Sequence, residues 1–275
     1  MSIKSPLGCV IALCATVWAG HHPVGAQQAI LVDGSTGTAP LIDALGKAFA
    51  KKSSIAVQVG KGMGTKARFE ALAGGKIDIA MASHGLNVAA ITGKGMTVYR
   101  VAMTPVVFGV QATVTVGALS DAQVCSIYSG GAGNWKDVGG SDLAIVALVR
   151  PETEVDMEVV RAGIGCFKGL KLPAGLKSLA RAGDMARTLA ATTGAIGMTS
   201  ATAVAQSGGK IKAVVLNGVA ASEASVLGGQ YRLTRDAFLV LGKAPPAPAK
   251  AFIDFVRSAE GAAIIRANGA IAAAK

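Results

Sequence analysis

Two glycines and a run of hydroxyls share one turn at Gly34, Ser35, Thr36, Gly37 and Thr38. The turn follows the apolar run at residues 29–32 and precedes Leu41, Leu45 and Phe49, spaced at four as on one face of a helix. A turn of this kind offers an anion its backbone N–H groups, its hydroxyls and the positive end of the helix. The same residues also make an ordinary helix N-cap, so the turn alone leaves both readings open. A second glycine-rich turn, Gly60-Lys61-Gly62-Met63-Gly64-Thr65, follows an alternating run at residues 55–59. A third, Ser83-His84, closes the apolar run at residues 77–82. Arg150 stands at the end of the apolar run at residues 143–149. Its planar guanidinium can give two charge-assisted bonds to an oxyanion, or it can be a surface residue after a strand. Glu154 and Asp156 follow; they read either as solvent-facing helix-start residues or as carboxylates at a cleft mouth.

This chemistry is anion binding and not covalent catalysis. A Ser–His–acid set would need His84 as its base, and no Ser lies in a G-x-S-x-G elbow. There is no H-E-x-x-H and no Cys/His cluster for zinc, so no metal and no cofactor is expected.

The elements that must position these turns repeat as strand, turn, helix. That repetition predicts a parallel sheet with crossover helices, whose ligands sit beyond the carboxyl ends of the strands. Helices are expected over residues 66–73, ending at Gly74-Gly75, and from Ser120 to Ser129. Residues 97–111, mostly apolar and broken by Arg100 and Pro105, make a candidate crossover between lobes. Residues 134–140 read as a loop. Thr153 to Asp156 reads as a capping box for the next helix. Strands are expected at residues 194–198 and 238–241, a stiff proline-rich connector at residues 245–248, and closing helices at 250–258 and 261–267.

Composition sets the class. The 275 residues are 51% hydrophobic and 16% charged with 36 glycines, which describes a globular chain. The net charge is +11, yet basic residues form no run of five and aromatics are only 4%. Attraction to anions is indicated, and no nucleic-acid partner. Residues 1–26 read as a secretory leader: Lys4, an apolar core from Cys9 to Ala19, then Val24-Gly25-Ala26 as a small-residue cleavage site. A soluble, exported protein starting at Gln27 is expected. It would keep two cysteines, Cys125 and Cys166; in an oxidising compartment these most simply form one disulfide, with two buried thiols as the other reading.

Several motifs occur in one order from residue 29 to 275: Gly34-Ser35-Thr36, the second turn, Asp78-Ile79-Ala80 with Ser83, Asn134-Trp135, Arg150, Gly194-Ala195-Ile196-Gly197, Gly229-Gln230-Tyr231-Arg232-Leu233, Phe252-Ile253-Asp254-Phe255-Val256 and Glu260-Gly261. That order resembles the phosphate-binding protein of the periplasmic phosphate ABC transporter, in the type II periplasmic binding protein superfamily. The resemblance implies an α/β fold of two lobes, each a mostly parallel sheet flanked by helices, with the ligand in the cleft between them. The first lobe would take residues 27–108 and 236–275, the second residues 109–235. It implies an anion held by Ser35 and Thr36 with the N–H groups of Gly37 and Thr38, by Gly64 and Thr65, by Ser83 and by Arg150. The chain departs from the family at Met63, where a Ser is usual, and at Glu154, Val155 and Asp156, where relatives place Ser-Gly-Thr.

Carried to function, the resemblance implies a monomeric, periplasmic binding protein that delivers phosphate or a related oxyanion to an ABC permease of the inner membrane. The alternative is the same fold holding a less charged ligand for uptake or sensing. An exported hydrolase is disfavoured for want of a nucleophile and base.

Overall fold

The computed structural model describes residues 29–274, together with Met1. The leader, its cleavage site and the new start at Gln27 lie outside the described residues.

The first half of the chain alternates strand and helix: β1 (Ile30–Gly34), α1 (Ala39–Ser53), β2 (Val57–Val59), α2 (Thr65–Ala73), β3 (Ile79–Ser83) and α3 (Val88–Thr92). β1 pairs in parallel with β2 on one side and β3 on the other. In α1 the expected apolar stripe, Leu41, Leu45 and Phe49, is buried together with Ile42. Phe49 meets Phe252 and Phe255 edge-on or tilted, with ring centroids 5.3 and 5.5 Å away.

A single long strand, β4 (Thr97–Gln111), then leaves this layer. At ~3.3 Å per residue it reaches about 50 Å, enough to run through two sheets. The second half comprises β5 (Ala118–Leu119), α4 (Asp121–Ser129), β6 (Val146–Val149), α5 (Val155–Gly163), β7 (Lys177–Ser178), α6 (Ala182–Ala191), β8 (Ala195–Ser200), α7 (Ala201–Ala205), β9 (Ile211–Ala213), β10 (Val215–Leu216) and α8 (Glu223–Leu227). The chain returns through β11 (Thr234–Leu241) and finishes with α9 (Ala247–Val256), α10 (Ala259–Ala267) and β12 (Ile271–Ala272).

The main sheet runs β2-β1-β3-β11-β4-β8-β6-β7. β11 is antiparallel to both β3 and β4, and β4 is antiparallel to β8. The residues at the switch are adjacent: Pro105 is the last partner of β11, opposite Thr234, and Val106 the first partner of β8, opposite Ser200. Pro105 lacks an N–H to donate, which suits it to the point where one ladder hands over to the next. Two main cores follow. One is built from Val106 to Leu233 with Ile271, around Phe108, Tyr128, Trp135 and Phe167. The other joins residues between Ile30 and Ala102 to residues between Ala237 and Ala270.

Several local readings are corrected. Residues 134–140 contain a 3-10 turn, Trp135–Val138, capped by Asn134. Trp135 is fully buried, and its indole N–H donates to the Gly194 carbonyl at 2.9 Å. The proline-rich connector gives its second half to α9, where Pro248 occupies the first turn and leaves no N–H unsatisfied. The capping box at Thr153 does not form: α5 starts one residue later, with Glu154 at the N-cap and no side-chain cap bond. The capping box at Ser120 forms with Gln123. Cys125, in α4, and Cys166 are joined by a disulfide with Cα atoms 6.3 Å apart. Among the described residues no helix is long and apolar enough to cross a membrane.

Candidate functional site

β1, β2 and β3 all point their carboxyl ends at one cleft of about 690 Å³. Its first wall carries Ser35 and Thr36 after β1, Lys61 to Thr65 after β2, and Ser83 and His84 after β3. Its second wall carries Thr153, Glu154 and Val155 at the start of α5, with Ala180 and Arg181 ahead of α6. Lys94 and the apolar side chains of Phe69, Leu86 and Ile91 complete the rim.

The first two turns are interlocked. Asp33 accepts the N–H of Gly34 at 2.6 Å and that of Gly62 at 2.9 Å, so one carboxylate orients both. The Met63 N–H donates to the Gly34 carbonyl at 2.8 Å. Gly62 has φ +107°, and a Cβ there would lie 2.4 Å from the Thr36 methyl. Only glycine lets the turns close this tightly. Among the described residues the N–H groups of Thr36, Gly64 and Thr65 have no partner, and the hydroxyls of Thr36 and Thr65 stand beside them. The starts of α1 and α2 are thus presented to the cleft as donors. The Ser83 hydroxyl donates to the Asp236 carbonyl at 3.3 Å, which leaves its oxygen free to accept. His84 lies 3.8 Å from the Asp236 carboxylate.

Six residues of the expected set line the cleft: Ser35, Thr36, Gly64, Thr65, Ser83 and Glu154. The other four lie behind its wall. The Thr38 N–H bonds the Ser35 carbonyl at 3.2 Å, and its hydroxyl points at the Ala82 carbonyl at 3.4 Å. The Gly37 carbonyl accepts from Arg235 at 2.9 Å. Arg150, with a side chain 1% exposed, gives one arm to the Leu179 carbonyl at 2.6 Å and the other to Glu154 at 2.8 Å. Asp156, 2% exposed, sits between Arg235 at 2.6 Å and Arg150 at 3.5 Å. The two carboxylates therefore part company: Glu154 faces the cleft, and Asp156 is buried against two arginines. Desolvation holds the Glu154 carboxyl above its usual range, against the pull of Arg150.

The geometry also shows residues that the sequence reading passed over. Arg68 lines the cleft from α2 and is 8% exposed. Arg181, Lys61 and Lys94 add charge at the rim. The available signal for Arg68 was its place four residues after Gly64, one helical turn below the second glycine-rich turn. Among the described residues no cluster of His, Cys, Asp and Glu could hold a metal ion.

A family model described as the PBP superfamily domain matches residues 20–260. The chain belongs to the PBP superfamily. No curated protein sequence matches it. Among solved PBP-like structures, a Clostridium perfringens protein named as a phosphate ABC transporter substrate-binding protein, solved with bound phosphate, is 25% identical with a TM-score of 0.73. That match covers 90% of this chain and all, 100%, of the other. An ABC-type phosphate transport receptor from Vibrio cholerae is 23% identical, TM-score 0.59, over 88% of this chain and 99% of that one. The periplasmic molybdate-binding protein of Azotobacter vinelandii is 14% identical, TM-score 0.60, over 88% and 98%. The last two likenesses carry the PBP fold alone. The mixed sheets, the flanking helices and the cleft between two cores are those of a two-lobed PBP.

Proposed function

We propose that this chain is an exported solute-binding protein that captures phosphate or a related oxyanion in the cleft and presents it to an ABC permease in the inner membrane. One observation carries the reading: hydroxyls and unpaired N–H groups from two helix starts converge with Arg68, Lys61, Lys94 and Arg181 on a single cleft. Donors and positive charge in one cavity suit an oxyanion and offer little to a cation. The likeness to the Clostridium perfringens protein with bound phosphate supports the same class of ligand.

In this reading the lobes are residues 27–108 with 236–275, and residues 109–235; they close on the ligand by bending where β4 and β11 cross between them. Ser35, Thr36, Gly64, Thr65 and Ser83 contact the anion, with Glu154 on the facing wall. Gly37 and Thr38 support the first turn, and Arg150 and Asp156 hold the start of α5. The protein acts as a periplasmic monomer without cofactor, nucleic acid or turnover.

Equilibrium dialysis of the purified protein with labelled phosphate tests this directly. Saturable one-to-one binding is expected. A thermal-shift panel of phosphate, arsenate, sulfate and molybdate then ranks the anions; a ligand at 100 times its dissociation constant adds about 2.7 kcal/mol. Absence of binding to every oxyanion, or turnover of a phosphoester, would overturn the reading.

A further inference from the structure

Three buried arginines surround the cleft, and they are not equivalent. Arg150 has Glu154 at 2.8 Å and Arg235 has Asp156 at 2.6 Å. Arg68 is 8% exposed, yet among the described residues no carboxylate comes within the 4.0 Å of an ion pair. Its contacts are all neutral oxygens. One terminal nitrogen donates to the Met81 carbonyl at 2.8 Å, the other lies 3.4 Å from the Thr65 hydroxyl, and Nε lies 3.5 Å from the Gly64 carbonyl. The same Met81 oxygen accepts the Ser35 N–H at 3.0 Å. The guanidinium therefore sits where the first turn, the second turn and the middle of β3 meet, within the wall that carries Ser35, Thr36 and Thr65. It keeps further N–H donors beyond these contacts.

A buried charge with no counter-charge is costly unless something compensates it. Burial pushes the Arg68 pKa down, and the more distant Asp33 and Glu154 only partly oppose this. Arg150 and Arg235 each have a carboxylate partner, and Glu154 stands between Arg150 and the cleft. We propose that Arg68 is the charged contact of the oxyanion, its free N–H donors and the hydroxyls of Ser35, Thr36 and Thr65 wrapping the ligand from the first lobe. Arg150 is a positioning residue that acts through Glu154 and α5. The proposal rests on the oxyanion-binding reading above and names the residue that makes it work.

The test is calorimetric titration of the purified protein with inorganic phosphate, and with whichever oxyanion leads the panel, against Arg68→Met and Arg68→Lys. Arg68→Met should weaken binding by about a hundredfold or more. Its ligand-free melting temperature should stay within about 2 °C of wild type or rise, because the change removes an uncompensated charge. A purely structural arginine would instead lower melting and leave affinity alone. Arg68→Lys keeps the charge but not the fork, and should bind about tenfold more weakly than wild type. Affinity in Arg68→Met within about threefold of wild type overturns the assignment. Should Arg68→Met fail to fold, wild-type affinity in Arg68→Lys overturns it. If the wild type binds no oxyanion, both this assignment and the functional reading fall; if it binds and Arg68→Met binds equally, only the assignment does.

Discussion

Arg235 and Asp156 face each other at 2.6 Å with both side chains buried, which ties the returning strand β11 to helix α5. Arg235 also donates to the Gly37 carbonyl at 2.9 Å, so the first turn, β11 and α5 meet on one guanidinium. A Cβ at Gly37 would lie 2.2 Å from that guanidinium, and glycine is what allows the approach.

Removing one partner of such a pair strands the other. Asp156→Ala should cost about 3–5 kcal/mol of stability, since Arg235 loses its carboxylate and Arg150 keeps only Glu154. Urea unfolding followed by circular dichroism measures it. A loss below about 1 kcal/mol would show that water reaches the pair.

Glu154 has a different part. It faces the cleft, and a carboxylate at 4–5 Å from a bound anion costs about 3–4 kcal/mol per unit of the anion's charge at an effective dielectric near 20. Glu154→Ser should therefore raise phosphate affinity at least about tenfold, by removing like charge from the cleft. Calorimetry at fixed salt decides it; unchanged affinity would place the bound anion away from the start of α5.

The same carboxyl gives a dependence on pH. Its pKa is raised in the folded protein, desolvation outweighing Arg150, Arg235 and Arg68 while Asp156 adds to the rise. The folded state thus holds the Glu154 proton more tightly than the unfolded chain does. Its charge is a net cost above the folded pKa, and that cost fades as pH falls toward the ordinary carboxylate range. Melting curves should show Glu154→Gln more stable than wild type near pH 7, with the gap closing toward pH 4. A gap that widens in acid would mean that the Arg150 pair dominates.

How much of this was legible in the chain depends on distance along it. Residues 97–111 read as a crossover because they are mostly apolar, broken by Arg100 and Pro105, and they form β4 from end to end. The stripe on α1 and the helix begun by Ser120 were local patterns and appear as read. α6 was missed: Arg181 offers no cap, and only Ala182, Met185 and Leu189 are buried on its inner face. Thr153 to Asp156 has the spacing of a capping box, but Asp156 is claimed by Arg235, 79 residues away in sequence. Arg68 was passed over. Its spacing from Gly64 and Thr65 is local, but its burial also needs the Met81 carbonyl in the middle of β3, outside the window of its own helix.

The disulfide joins α4 to the segment after α5. Thiol counting on the denatured, unreduced protein should find no free cysteine among Cys125 and Cys166. Cys125→Ser together with Cys166→Ser should lower stability by about 2–5 kcal/mol, read by thermal unfolding. Two free thiols in the exported form would refute it.

The proposed export predicts a mass: the mature protein should begin at Gln27, which intact mass spectrometry of the periplasmic fraction reads directly. A form retaining residues 1–26 would remove the leader from the account.

β3 and β11 lie side by side in the sheet, yet Ser83 and Asp236, which touch there, are 153 residues apart in sequence. On a ribosome, β1 to β3 emerge early and then wait with one edge open. Every element of the second lobe is synthesised before the strand that covers that edge. The second lobe can close its own core in the meantime, while the first cannot finish its sheet until β11 arrives and α9 packs on Phe49. Nascent chains halted before β11 should thus hold one ordered lobe and one exposed strand edge, the kind of surface that holdases retain and that aggregates when they do not.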